Sequence, residues 1–198
     1  NGITHYGLSI ISNFLIQNNH LQHLSLESNS IGDIGCISLA NMLKKNITLI
    51  SLIIGGNNIG DTGVIEISKS LRSNCSLKNL VLVNNNFSHS SISSITETLK
   101  LNTTLSRLSL GFKLQKTEIK DFNRIFDVNT SLLDCSMEFE NPHDGLEFSY
   151  NLNFNRFLEC QRRLLFQTPV SFFIHHFLVA FYQPLLSYRT IPSEILFD

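Results

Sequence analysis

The sequence predicts an α/β solenoid. Strand–turn–helix units stack in register, a parallel sheet lines the concave side, helices pave the convex side, and a C-terminal helical cap closes a right-handed coil. Three observations predict it. Leu21, Leu49, Leu77 and Leu105 are spaced by 28 residues, and Leu132 follows 27 later. Each opens the same frame: Leu, two residues, an aliphatic, one residue, an aliphatic, two residues, Asn. After each frame come two apolar residues four apart, then an Asn three positions on. A fixed period of this length marks units that cannot bury their apolar face alone and must stack.

The elements follow in order. The first frame reads Leu21, Leu24, Leu26, Asn29, Ile31; the second Leu49, Leu52, Ile54, Asn57, Ile59; the third Leu77, Leu80, Leu82, Asn85, Phe87. Alternation over the aliphatics is the two-residue period of a strand with one buried face. The fourth frame has Leu105, Leu108 and Leu110, but Lys113 stands where Asn is expected. A fifth is a stub: Leu132, Cys135, Met137. Between frames, Leu39/Leu43, Ile67/Leu71, Ile95/Leu99 and Phe122/Phe126 fall on one helix face each. Asn29 and its equivalents are expected to give buried backbone groups a donor and an acceptor where the strand turns away. Asp33 and Asp61, in the segments 32–35 and 60–63, are expected to N-cap their own helices, each contributing roughly 1 kcal/mol. Stepping back by one period puts Asn1 in the place of Asn29 and Ile3 in that of Ile31, so the chain is expected to start in mid-repeat and to be a fragment.

This 28-residue unit, with its Leu-x-Leu strand, Asn, Ile-Gly-Asp-x-Gly turn and Leu-x-x-x-Leu helix, resembles the ribonuclease-inhibitor class of leucine-rich repeats. The resemblance covers residues 1–138, is strong in the first three units and weakens in the fourth, where Lys113 and the following residues replace the Asn and the Gly-Asp turn. It implies a protein-recognition scaffold, as in ribonuclease inhibitor, NOD-like receptors and activators of the Ran GTPase. A shared fold does not fix which partner is bound.

The residues between the inward aliphatics point out of the sheet. They are His23, Ser25 and Glu27; Ser51, Ile53 and Gly55; Asn79, Val81 and Val83; Arg107, Ser109 and Gly111; and Asp134, Ser136 and Glu138. Ile53, Val81 and Val83 form an apolar centre, and such patches mark interaction sites. Arg107 is the anchor candidate by interface composition. The reading is a binding module for a protein partner of unknown identity. The alternatives are a regulator of an enzyme, such as a GTPase activator or an enzyme inhibitor, and a unit that self-associates through its aromatic tail. The loops after the strands carry no Arg, which weighs against an arginine-finger activator.

Other chemistries find no frame. The net charge of −1 gives no reason to expect nucleic acid. No cofactor, metal site or catalytic residue is expected: no phosphate loop, nucleophile elbow or paired-carboxylate frame is present. Cys36, Cys75, Cys135 and Cys160 fit no zinc spacing and are expected to be reduced and mostly buried, which favours a cytoplasmic location. His20 and His23 fall on opposite faces of a strand. Asn46, Asn74, Asn102 and Asn129 match the glycosylation sequon, but at the repeat period, so they are expected to be repeat consensus.

After Met137 the period stops. Residues 138–145 read as a loop, and residues 139–198 are expected to form a helical capping segment, with helices over 152–166 and 170–183. The second is aromatic and apolar, but at about 1.5 Å per residue it falls short of a bilayer's hydrocarbon thickness, so no membrane span is expected. It offers a surface for self-association instead.

Overall fold

The computed structural model describes residues 1–139 and 155–156. These residues belong to one compact unit, Asn1–Arg156. The element order is α1 (His5–Gln17), β1 (His23–Ser25), α2 (Gly32–Leu43), β2 (Ser51–Ile53), α3 (Asp61–Leu71), β3 (Asn79–Val81), a single 3-10 turn at His89–Ser91, α4 (Ile92–Leu99), β4 (Arg107–Leu114), α5 (Lys116–Ile125) and β5 (Asp134–Phe139). The strands form one parallel sheet in chain order, β1-β2-β3-β4-β5. Its register is the sequence period: Leu24 pairs with Leu52, Leu52 with Leu80, Leu80 with Leu108 and Leu108 with Cys135.

The core lies between sheet and helices. Leu52, Leu80 and Leu108 from the strands meet Leu39, Ile67, Ile95 and Phe122 from the helices, and all are buried. Truncating any one to Ala would cost about 2–5 kcal/mol.

Two columns of Asn satisfy the backbone at the two turns of each unit. At the strand exit, Asn57 Nδ2 donates to the carbonyls of Leu26, Ile54 and Gly55 at 2.9–3.1 Å. Asn85 Nδ2 donates to Ile54 and Leu82 O, and its Oδ1 accepts from Asn57 and Ile59 N–H. At the helix exit, each Asn spans two repeats. Asn102 Nδ2 donates back to Leu71 O and Asn74 O, while its Oδ1 accepts from Thr104 and Leu105 N–H. Asn46, Asn74 and Asn129 repeat the arrangement and are buried. The nitrogen a glycan would modify is therefore engaged at all four sequons.

Three expectations are corrected. Asp33 and Asp61 do not cap their own helices. Asp33 Oδ1 accepts from Gly60 and Gly63 N–H, at the start of α3, at 2.7 and 3.0 Å. Asp61 likewise accepts from Ser88 N–H and Ser88 Oγ, both at 2.7 Å, one repeat on. Gly60, the N-cap of α3, has no side chain, so the preceding repeat supplies the acceptor. Second, Leu21 is 36% exposed, whereas its equivalents Leu49, Leu77 and Leu105 are at most 1% exposed. Third, the fourth unit does not turn at residue 111. With Lys113 in place of Asn, β4 runs on to Leu114, paired with Phe139 across a bulge between Ser109 and Lys113. Gly111 takes the left-handed conformation (φ +57°) one position before the place that Ser28, Gly56 and Asn84 occupy with positive φ in earlier units. Glu138 and Phe139 accordingly belong to β5 and not to a loop. The cysteines among the described residues are mostly buried, as expected: Cys36 and Cys135 are buried and Cys75 is exposed. Burial, with Asp33 nearby, pushes the Cys36 thiol up to about 12.

The trailing end of the sheet is met by Asn155 and Arg156. Ser106 O accepts from Leu133 and Asp134 N–H, as Gln22, Ile50 and Lys78 O do for the strands after them. The next acceptor in that series, Leu133 O, takes Arg156 Nε at 2.7 Å. Asn129 O, next in the helix-exit column, takes Asn155 Nδ2 at 2.9 Å. The rest of the expected cap, including the stretches 157–166 and 170–183, lies outside the described residues. Among the described residues, no helix is long and apolar enough to cross a membrane.

Candidate protein-binding face

A strand buries every second side chain against the helices and turns the others to the opposite face. The register therefore sorts the outward residues into rows that run across the strands. The first row is His23, Ser51, Asn79, Arg107 and Asp134. The second is Ser25, Ile53, Val81, Ser109 and Ser136. Glu27, Gly55, Val83 and Gly111 follow beyond it at the same period.

The first row is polar. Asn79 Nδ2 donates to Ser51 Oγ at 2.8 Å, across β2 and β3, and Ser51 is only 9% exposed. Ser51 is thus a support for Asn79 more than a contact residue. Arg107 is exposed and forms no ion pair among the described residues. Asp134, its register partner, lies instead 3.5 Å from the Arg156 guanidinium.

The second row is apolar at its centre. Ile53 and Val81 are half-buried neighbours on β2 and β3, flanked by exposed Ser25 and half-buried Ser109. Val83, grouped with them in the sequence reading, is half-buried as they are and lies between Gly55 and Gly111. A Cβ built on Gly55 would lie 3.1 Å from Val83 Cγ2, and one on Gly111 would lie 2.9 Å from Val83 Cβ and Cγ1. Val83 therefore packs against the backbone at Gly55 and Gly111. Glu27 closes this side: its Oε1 would lie 3.6 Å from a Cβ on Gly55.

The arrangement offers a central apolar pair about one strand spacing apart, roughly 4.8 Å. Around it stand a cation (Arg107), an anion (Glu27), an imidazole (His23) and short hydroxyl side chains. The sequence placed every one of these residues on one face. It missed the close approach of Val83 to the backbone at Gly55 and Gly111, one period to either side.

A second polar series runs along the helix starts. It consists of the acceptors Asp33 and Asp61 and, one period on, His89, whose Nδ1 lies 2.8 Å from both carboxylate oxygens of Glu118. Partial burial alone would raise the Asp61 carboxyl, but hydrogen bonds from Ser88 and Ser91 outweigh it and hold the group below the usual carboxylate range.

Two segments of the chain, residues 17–40 and 45–68, match the family model described as Leucine Rich repeat. No curated protein sequence matches the chain. Among solved structures, actin-binding site 2 of leiomodin-1 is similar over 81% of this chain and 93% of its own, at 20% identity and a TM-score of 0.71. The tropomodulin C-terminal domain from Caenorhabditis elegans is similar over 79% of this chain and 98% of its own, at 14% identity and a TM-score of 0.66. The two matched segments, the 28-residue register of the parallel sheet and these structural neighbours together make the chain an α/β leucine-rich-repeat solenoid.

Proposed function

We propose that the chain is a protein–protein interaction module that takes its partner on the face of the sheet turned away from the helices. One observation carries the reading: Ile53 and Val81 form an apolar pair on that face, half-exposed, with charged and hydroxyl side chains around it. That is the composition of an interface centre with a polar rim. The contact set is His23, Ser25, Glu27, Ile53, Asn79, Val81, Val83, Arg107, Ser109 and Asp134, with Ser51 supporting Asn79. We assign the repeats to the ribonuclease-inhibitor class on their period and their helical return segments, and place the chain in a reducing, cytoplasmic setting on its unpaired thiols. The leiomodin neighbour is named for an actin-binding site, so actin is the first partner to try.

The test compares wild type with Ile53→Asp/Val81→Asp, with circular dichroism to establish that both fold. Purified actin and then a cell lysate serve as bait pools. Partners held by wild type and lost by the variant support the face. Identical partner sets would move binding to the helical side or to residues 139–198.

A further inference from the structure

Positive charges on the helices and at the sheet are placed differently. On the helices, Lys69 lies 2.7 Å from Glu66, Lys100 2.6 Å from Glu97 and Arg124 3.5 Å from Asp121, each pair three residues apart. Such neighbours on one helix face balance each other locally. Lys78 and Arg107, at the sheet, are both exposed, and neither forms an ion pair among the described residues. They are neighbours: Arg107 N–H donates to Lys78 O at 2.8 Å, which joins the entry of β4 to the entry of β3. Asp134 is the register partner of Arg107 on β5, yet its carboxylate lies 3.5 Å from the Arg156 guanidinium. The negative charge on β5 is thus matched by Arg156, and the two positive charges on β3 and β4 are left for something else.

The register sets their place relative to the apolar pair. Val81 pairs with Ser109, and Arg107 stands two residues before Ser109 on the same face. One strand spacing of about 4.8 Å across and two residues of about 3.3 Å along put the Arg107 backbone roughly 8 Å from that of Val81. Lys78 stands three residues before Val81, roughly 10 Å back along the same chain. The outward residues between them, Asn79 and Ser109, are neutral, and the Asn79 amide is directed to Ser51 Oγ. In an extended peptide, side chains two residues apart project from one side about 6.7 Å from each other. The reach of an Arg or Lys side chain covers the remainder.

We infer that the partner is held on this face through an extended acidic segment. An apolar side chain of that segment seats on Ile53 and Val81, a carboxylate two residues away meets Arg107, and Lys78 faces a second acidic group. The inference rests on the sheet face as the binding face and adds the chemistry of what binds there. Charge complementarity of this kind sets specificity and the rate of association more than the final affinity. Association should therefore slow as salt screens these exposed charges.

The test selects a library of random short peptides against the immobilised full chain, then measures the recovered peptides in solution by fluorescence anisotropy and stopped flow. Peptides recovered on wild type should carry Asp or Glu two residues from a large apolar residue. Lys78→Glu/Arg107→Glu and Lys78→Gln/Arg107→Gln change only exposed side chains, so both should fold, which circular dichroism checks. The charge-reversed chain should bind these peptides on the order of tenfold or more weakly, and the neutral one less weakly than that. A selection repeated on the charge-reversed chain should return basic residues at the same spacing. Peptides without acidic enrichment, indifferent to both substitution pairs and to salt but lost with Ile53→Asp/Val81→Asp, overturn the acidic segment and leave the face in place. Peptides indifferent to Ile53→Asp/Val81→Asp as well overturn both readings. A single-stranded DNA oligonucleotide that binds as tightly as the peptides, and needs Lys78 and Arg107 but not Ile53 and Val81, also overturns the inference and assigns the charge to nucleic acid.

Discussion

The two Asn columns have the same chemistry and different fates. The helix-exit column runs without a break through Asn46, Asn74, Asn102 and Asn129, and Asn155 continues it from outside the period. The strand-exit column runs through Asn29, Asn57 and Asn85 and stops at Lys113. Where the first persists, the repeats keep their spacing. Where the second stops, β4 no longer turns away and instead extends along β5. A buried amide that both donates and accepts ends a strand, because it satisfies the backbone groups that leave the ladder. Lysine is a donor only and cannot take that role.

The largest effect should come from the unbroken column. Asn102→Ala strips partners from Leu71 O, Asn74 O and the N–H groups of Thr104 and Leu105, in a position only 4% exposed. Leaving several buried groups unsatisfied should cost about 3 kcal/mol or more. Asn85→Ala, at the half-exposed last rung of the broken column, should cost about 1–2 kcal/mol, because water reaches part of what it exposes. Urea unfolding of both variants measures the difference. Equal costs would mean that continuity of a column contributes nothing beyond its individual rungs.

How much of this was legible in the sequence follows the same division. The period gave the strand register residue for residue, because a fixed repeat and a two-residue strand alternation leave no freedom in which side chains face the helices. Both Asn columns and the outward rows followed from it. What the sequence did not yield are contacts whose partner lies one repeat away and off the aliphatic frame. Asp33 stands in the first turn of α2, where a carboxylate is ordinarily a local cap, and only the absent side chain at Gly60 explains why it reaches forward. Lys113 was visible as a departure, but its consequence depends on Gly111, which can adopt φ +57° and so let the strand bulge and continue.

A milder change tests the cause of that divergence. Lys113→Asn restores the missing amide. The expected outcome is earlier strand termination, read as lost amide protection at Lys113 and Leu114, with stability altered by no more than about 1 kcal/mol. Retained protection would shift the cause from Lys113 to the Gly111 bulge. Gly111→Ala would then be the disruptive change, since its Cβ would strain the left-handed backbone and meet Val83 at 2.9 Å.

The smallest expected effect concerns the third series, the carboxylates that cap the next helix. Asp61 is held below the usual carboxylate range in the folded chain by the hydrogen bonds from Ser88 and Ser91. A folded value below the unfolded one means that the folded state favours the charged form. Its contribution is therefore complete above the unfolded value, about 3.9, and is lost as pH falls through the lower folded value. Asp61→Asn keeps an acceptor oxygen but removes the charge. Thermal midpoints of wild type and variant should therefore differ between pH 5 and 7, begin to converge below about 4, and meet once the pH has fallen through the lower folded value and the wild-type carboxyl is neutral. A difference that stays constant across that range would show that geometry alone, without charge, carries the link from one repeat to the start of the next helix. The carboxylate column would then be equivalent to the amide columns beside it.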